Sequence, residues 1–499
     1  MDDIFIITLA IWVMPMKELC SPVFKEKDHG QGAGIPVIKT IWDLFDLSLL
    51  FSQSGIRKHA GIPAWIMAFA YVCGLIHNAA SVNKNAQYSE DAPFLQQLLA
   101  GQKISQCAFS RFLAKPFRWQ QFSFGRLSRL QEQTDTKLED GDIIALDDTK
   151  IEHPHGKKIP FLCWLFDSSD KRHVWCMNLV STLAVLENGL EYPLLWRIWV
   201  KADQKNERQT KLDLARQMLA EVRQLNGARL WVAMDRWFLC KKFLIWLMEK
   251  NFDWVTKAKS NTVLYRKIYD PVLKRAVFTK LNPKQLLREV YPQVKAQGKG
   301  NVLGIHDIYI KLPYQTVTRN GKPITRQRYQ LLAAIAATYE KQADGEELLP
   351  EIESPATFKD VYLLISNRAD APEKAAQAYV KRWKIEVFYR TTKQNLGLTA
   401  CYAQSEAAHL AHVELLFTAM TLLCYASWPG NKEGADQAPP LCQVMRYFFN
   451  AGCRIDCCEQ QIQVYFDTSI QRFSSLIDKF WPRFLNLELW SWQHYPETA

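Results

Sequence analysis

The 499-residue chain lacks any run of roughly 18 uncharged apolar residues, the length a helix needs to cross a bilayer, so its sequence offers no membrane span. The apolar start, Ile4 to Met14, follows Asp2 and Asp3 instead of a basic segment, which is poor for a secretion signal. Ile62 to Ile76 is apolar but short and reads as a buried helix. Disulfide-framework spacing is also missing. The 12 cysteines are scattered, mostly in apolar surroundings (Cys73, Cys163, Cys176, Cys240, Cys424), which points to reduced thiols in a cytosol. Cys453, Cys457 and Cys458 cluster without a second ligand pair at zinc-finger spacing. His153 and His155 flank Pro154 ahead of Gly156, a loop pattern that disfavours a metal pair. No internal repeat or low-complexity block is present. What the chain has in excess is positive charge, +11 with a pI near 8.9, which attracts polyanions without specifying a fold. With 48% hydrophobic and 23% charged residues it has an ordinary globular composition, long enough for two to four domains.

The most informative stretch is Tyr379 to Lys393. Tyr379, Arg382, Glu386 and Lys393 stand at offsets that fall within about 60° of one another on a helix. Val380, Trp383 and Val387 form an adjacent apolar stripe for packing. One carboxylate flanked by two cations and a phenol suits a metal-binding acid whose neighbours grip phosphates. A solvated face of an amphipathic helix has the same pattern.

Tyr-x2-Arg-x3-Glu-x6-Lys, together with the wording from Arg382 to Phe388, resembles the signature of one branch of bacterial insertion-sequence DDE transposases. The resemblance implies a ribonuclease-H-like fold in which Glu386 is the third acid of a metal-binding triad. It also implies two upstream aspartates, each at the end of a buried strand. Ile143 to Leu146 is an apolar run ending in Asp147, Asp148 and Thr149. Leu230 to Met234 is another, ending in Asp235. A strand-terminal Asp is also a common turn or helix cap. Asp147 and Asp148 are both candidates for the first acid; Asp147 follows the apolar run directly and lies two residues before a hydroxyl, as the family's first acid does.

Along the chain, residues 1–35 are unassigned, with Gly30 to Gly34 reading as a linker. Residues 36–138 are helical, and Ser105 to Leu113 fits part of a helix–turn–helix followed by Lys115, Arg118, Arg126 and Arg129. A plain helical bundle fits as well, whereas the resemblance implies DNA binding. Residues 139–261 and 358–400 alternate strands and helices as an α/β, ribonuclease-H-like catalytic core. Residues 262–357 read as a mostly β insertion domain, with strands at Leu303 to Leu312 and Arg328 to Ala337 around an Asn320-Gly321 turn. Residues 401–499 read as a helical C-terminal region.

The implied chemistry is phosphodiester cleavage and strand transfer. Converging carboxylates hold two Mg²⁺ ions, for which Mn²⁺ substitutes, and a freed 3′-hydroxyl attacks target DNA. Asp147, Asp235 and Glu386 are the expected ligands. Tyr379, Arg382 and Lys393 are expected on DNA phosphates, and Lys257 and Lys259 serve either as further phosphate contacts or as solubilising surface. The insertion contains no tryptophan, which leaves the aromatic platform of a hairpin route unassigned. The expected partners are double-stranded DNA, as terminal inverted repeats and target, and a second copy of the chain in the synaptic complex; the location is the bacterial cytoplasm, on the nucleoid when DNA is bound.

Overall fold

Apolar runs without polar alternation need cover on both faces, and the centre of the molecule is built from them. The computed structural model describes residues 5–7, 27–79, 81–167, 170–201, 209–296, 302–317, 323–338, 361–430, 440–458 and 461–466. Its strands are β1 (Phe5–Ile7), β2 (Lys27–Gln31), β3 (Ile143–Glu152), β4 (Cys163–Asp167), β5 (Arg172–Val185), β6 (Glu191–Trp199), β7 (Trp231–Met234), β8 (Asp253–Lys257), β9 (Leu264–Asp270), β10 (Arg275–Leu281), β11 (Val302–Val317), β12 (Pro323–Thr338), β13 (Val361–Ser366), β14 (Gly452–Cys458) and β15 (Gln461–Phe466). The first four residues of β3 and all of β7 are buried. Strands β3, β7 and β8 run parallel, β5 pairs antiparallel with β3, and β6 antiparallel with β5. The order is therefore β6-β5-β3-β7-β8. Helix Lys211–Leu225, opened by a Thr210–Asp213 capping box, packs on β5 and β6, and Trp383–Asn395 packs on β3 and β5.

Within the segment 262–357, expected to be a mostly β insertion, the described residues form β9 to β12 and also the helix Pro283–Ala296. Their strands extend the central sheet. From β8 it continues through β13, β12, β11, β9 and β10 to make 11 strands. The Asn320-Gly321 turn and residues 339–357 lie outside the described residues.

Helices Ile35–Leu44, Ala64–Ile76, Gln106–Leu113 and Trp119–Glu132 pack on a 22-residue helix, Glu406–Ser427, and share one core with the sheet. Ala64–Ile76 is buried at every position. Glu406–Ser427 is long and apolar enough to span a membrane, which the sequence reading missed because Glu406, Glu414 and two histidines interrupt it. Most of this helix is buried inside the molecule. At its middle, Glu414 accepts from Arg126 Nε at 2.9 Å and from Trp196 Nε1 at 2.6 Å. The same guanidinium donates to the carbonyls of Pro193 and Leu194, both at 3.0 Å. Arg126 is thus a buried ion-pair partner, not one of a row of cations facing DNA. Arg129 is likewise engaged with Glu132 and Asp46.

Both ends of the chain depart from expectation. Gly30 closes against Asp91, where an added Cβ would meet the carbonyl oxygen at 2.1 Å, and Gly34 lies equally close to Phe449. These glycines permit close packing and do not form a linker. The C-terminal region is not helical throughout. After a short helical segment, Leu441 to Phe449, β14 and β15 form a hairpin that pairs with β2 and β1 in a four-stranded antiparallel sheet. The aromatic stretch from 467 to 484 lies outside the described residues.

Three histidines meet where the long helix passes the end of the signature segment. His412 Nδ1 pairs with the Tyr71 hydroxyl and Nε2 with the Gly397 carbonyl, both at 2.9 Å, and His153 packs edge-on to His409. Burial lowers the pKa of all three, and brings that of His412 to about 4; the Gly397 carbonyl opposes this, while His409 and His153 add to it. A base kept neutral in the fold but titrating near 6.5 when unfolded contributes fully above pH 6.5. It loses that contribution as pH falls toward 4, about 3 kcal/mol for His412 alone. His412→Gln should therefore flatten the decline in urea midpoint between pH 7 and pH 5. Equal declines in the two proteins would exclude His412 as the source.

Candidate active site

The parallel ladder of β3 and β7 ends at Leu146 opposite Met234, and the next residue on each strand is an aspartate. Asp147 and Asp235 therefore stand on neighbouring strands where that ladder ends. Strand β3 itself continues to Glu152 along β5, so Asp147 is a mid-strand residue, not a terminal one. Alternation along β3 separates the two candidate first acids. Asp147 faces helix Trp383–Asn395. Asp148 instead accepts from Lys211 Nζ and Asn178 Nδ2, both at 2.7 Å. Asp235 caps the one-turn helix Arg236–Phe238 by accepting from the Trp237 backbone N–H at 2.8 Å.

The signature segment is two helices, Pro372–Lys381 and Trp383–Asn395, that meet at Arg382. There the Arg382 N–H bonds to Tyr379 O, and Arg382 O accepts from the Ile385 N–H, a tighter pattern than an α-turn. The stripe expected to pack does not: Val380 is 65% and Val387 37% exposed. Ala375, Ala378, Ile385 and Phe388 face inward instead.

Arg382 links two of the acids. Its Nη1 lies 3.0 Å from Asp147 Oδ2 and its Nη2 2.5 Å from Glu386 Oε1, while its buried Nε has no partner among the described residues. Burial disfavours the guanidinium charge, but Asp147, Tyr379 and Glu386 outweigh that and raise its pKa. Burial pushes the Asp147 carboxyl up to about 8; Arg382 opposes the shift, and Asp148 and Asp235 reinforce it. A buried acid among like charges calls for a cation, and here Arg382 is that cation.

The remaining expected residues divide. Tyr379 stacks under the Arg382 guanidinium at 5.5 Å. Lys393 is pulled down in pKa by burial, with Glu152, Asp167 and Lys150 as charged neighbours, so it lies toward the far end of β3. Lys257 lies over the Tyr362 ring at 5.4 Å. Lys259 donates to the carbonyls of Trp237 and Leu239, bracing the loop after Asp235.

Sequence reasoning missed Tyr389. Its hydroxyl donates to Asp147 O at 2.9 Å and pairs with Ser181 Oγ at 2.7 Å, tying the Glu386 helix to β3 and β5. A position one turn after Glu386 was the available signal. Lys211, 63 residues from Asp148 in the chain, left none.

Among the described residues no three His, Cys, Asp or Glu side chains converge closely enough to share a metal ion. The all-oxygen donors Asp147, Asp235 and Glu386 nevertheless suit a hard divalent cation, with Arg382 now between two of them.

The family model of the transposase DDE domain matches residues 139–422, more than half of the chain, from just ahead of β3 into the long buried helix. The chain belongs to the transposase DDE family. No match was found among curated proteins. Transposases of this family act on DNA and generally use divalent metal ions. The transposase domain thus contains all four acids considered above, and the helices before residue 139 lie outside it.

Proposed function

We propose that this transposase domain is a ribonuclease-H-like enzyme of the insertion-sequence branch that cuts DNA at element ends and joins the freed 3′-hydroxyl to target DNA. The observation that carries the reading is the adjacency of Asp147 and Asp235 at the end of the parallel ladder, with Glu386 joined to Asp147 through Arg382. The order β6-β5-β3-β7-β8, with one antiparallel strand beside the first acid, supports the fold assignment.

Asp147, Asp235 and Glu386 would hold two Mg²⁺ ions, with Mn²⁺ as a substitute; when bound, these activate the attacking oxygen and stabilise the leaving one. Asp147 is the ligand on β3, because Asp148 is committed to Lys211 and Asn178. Tyr389 fixes the strand carrying Asp147 against the helix carrying Glu386, so their separation is set before substrate arrives. Arg382, released from the carboxylates once their charge is neutralised otherwise, would turn to a DNA phosphate above the Tyr379 ring. Lys257 and Lys393 are second-rank phosphate contacts, and Lys259 holds the Asp235 loop.

Residues 36–138 would bind the terminal repeats. Burial lowers the pKa of Lys58 there, and the nearby Lys115 and Arg111, both exposed, add to the shift, a concentration of positive charge that a duplex would relieve. A homodimer acting in the bacterial cytoplasm completes the reading, with residues 262–357 as the insertion and 401–499 as the C-terminal region.

Incubating the protein with a labelled terminal-repeat duplex, Mg²⁺ and a target plasmid tests it. Covalent joining of the labelled 3′ end is the expected result. Cutting without joining would make the protein a nuclease, and binding alone an inactive, domesticated relative.

A further inference from the structure

The hairpin of β4 and β5 carries an aromatic surface that the proposed reaction does not use. Trp164 and Phe166 sit two apart on β4, hence on one face, and are 59% and 56% exposed. Their register partners on β5 are Trp175 and His173. The rings pair across the ribbon, Trp164 with Trp175 at 5.5 Å and Phe166 with His173 at 5.3 Å. Four rings thus form a two-by-two platform open to solvent, and β4 ends the sheet on that side.

Cations bracket it. The Trp175 indole donates to Gly156 O, which brings the exposed Lys157 and Lys158 beside one end. Exposed Lys171 stands at the turn at the other end, next to Arg172, which is itself engaged by Glu152 and Asp170. Lysines around exposed rings oppose self-association, because two copies would bring like charges together and interface cores are depleted in lysine. They favour a polyanion that also presents flat apolar faces. Duplex DNA hides its base faces; an unpaired strand shows them, and successive bases stack on such rings while the backbone meets the lysines.

We propose that the β4–β5 hairpin binds unpaired DNA. Strand β3 links it to the acids: Glu152, opposite Cys176 at the root of the hairpin, is five residues past Asp147, roughly 17 Å along the strand. An unpaired end leaving the cleavage site reaches the platform within a few nucleotides.

Titrating the full-length protein with an oligothymidylate while following tryptophan emission tests this, in both the native and the Glu386→Gln background, since binding here requires no catalysis. Trp164→Ala/Phe166→Ala should weaken binding about tenfold or more, with the affinity for a blunt duplex of equal length changed less than about threefold. Lys157→Glu/Lys158→Glu should reduce the salt dependence of oligothymidylate binding. All four positions are exposed, and an unchanged thermal midpoint verifies folding. Unchanged oligothymidylate affinity in the aromatic double variant overturns the proposal. So does a shift from dimer to monomer in sedimentation with DNA affinity intact, which would make the face a subunit interface.

Discussion

Glu386→Gln is expected to bind a terminal-repeat duplex as tightly as the parent protein and to nick it about a thousandfold more slowly in Mg²⁺. Glutamine preserves the length of the side chain and an oxygen for Arg382 Nη2, so the geometry around Arg382 and Asp147 should survive. What disappears is one formal charge that would face the proposed ions. Several kcal/mol of transition-state stabilisation rest on metal-bound charge, and about 4 kcal/mol corresponds to a thousandfold in rate. Asp148→Asn is the internal comparison, since Asp148 is bonded to Lys211 and Asn178 on the other side of β3. It should retain far more activity than Asp147→Asn. Nicking by the Glu386 variant within tenfold of the parent rate would remove this side chain from the metal site.

Glu414→Ala is expected to destabilise the protein by about 3–5 kcal/mol, a large part of the margin of a typical domain. Both partners of the Arg126–Glu414 pair are almost wholly buried, at 1% and 0% exposure. Removing the carboxylate leaves the guanidinium among Pro193, Leu194 and Thr421 without its counter-charge, and the Trp196 indole without its acceptor. Urea unfolding followed by tryptophan emission measures the loss, and Arg126→Met/Glu414→Leu should recover much of it because an apolar pair of similar volume needs no counter-ion. A loss under about 1 kcal/mol in the alanine variant would mean that solvent reaches the pair. This interaction also fastens the helix Trp119–Glu132 to β6, so the variant should release it first and, on the proposed reading, lose terminal-repeat binding before catalytic folding.

The parts of the fold legible in the sequence were those whose signal is local. Ile143 to Leu146 and Leu230 to Met234 are unbroken apolar runs because they are covered on both faces, and their trailing acids stood out against them. The antiparallel pair β11 and β12 was readable as two strand-like segments. The features that were missed depend on residues far apart. Arg126 looked like a surface cation because nothing near it reveals Glu414, 288 positions away. The Tyr379 to Lys393 pattern has two apolar faces, and periodicity alone could not tell that Ala375 and Ala378, small enough for close approach to the sheet, outcompete Val380 and Val387. The break at Arg382 has no glycine or proline to announce it; the side chain is drawn toward Asp147 on another element. Asp147, Asp235 and Glu386 could be read from the sequence as candidates, but the guanidinium lying between Asp147 and Glu386 could not.

The small sheet has a bearing on synthesis. Strand β2 leaves the ribosome more than 400 residues ahead of its hydrogen-bonding neighbour β14, and β1 waits for β15. Until residues 452–466 are made the nascent chain carries β1 and β2 unzipped, and a product truncated before residue 452 never closes them.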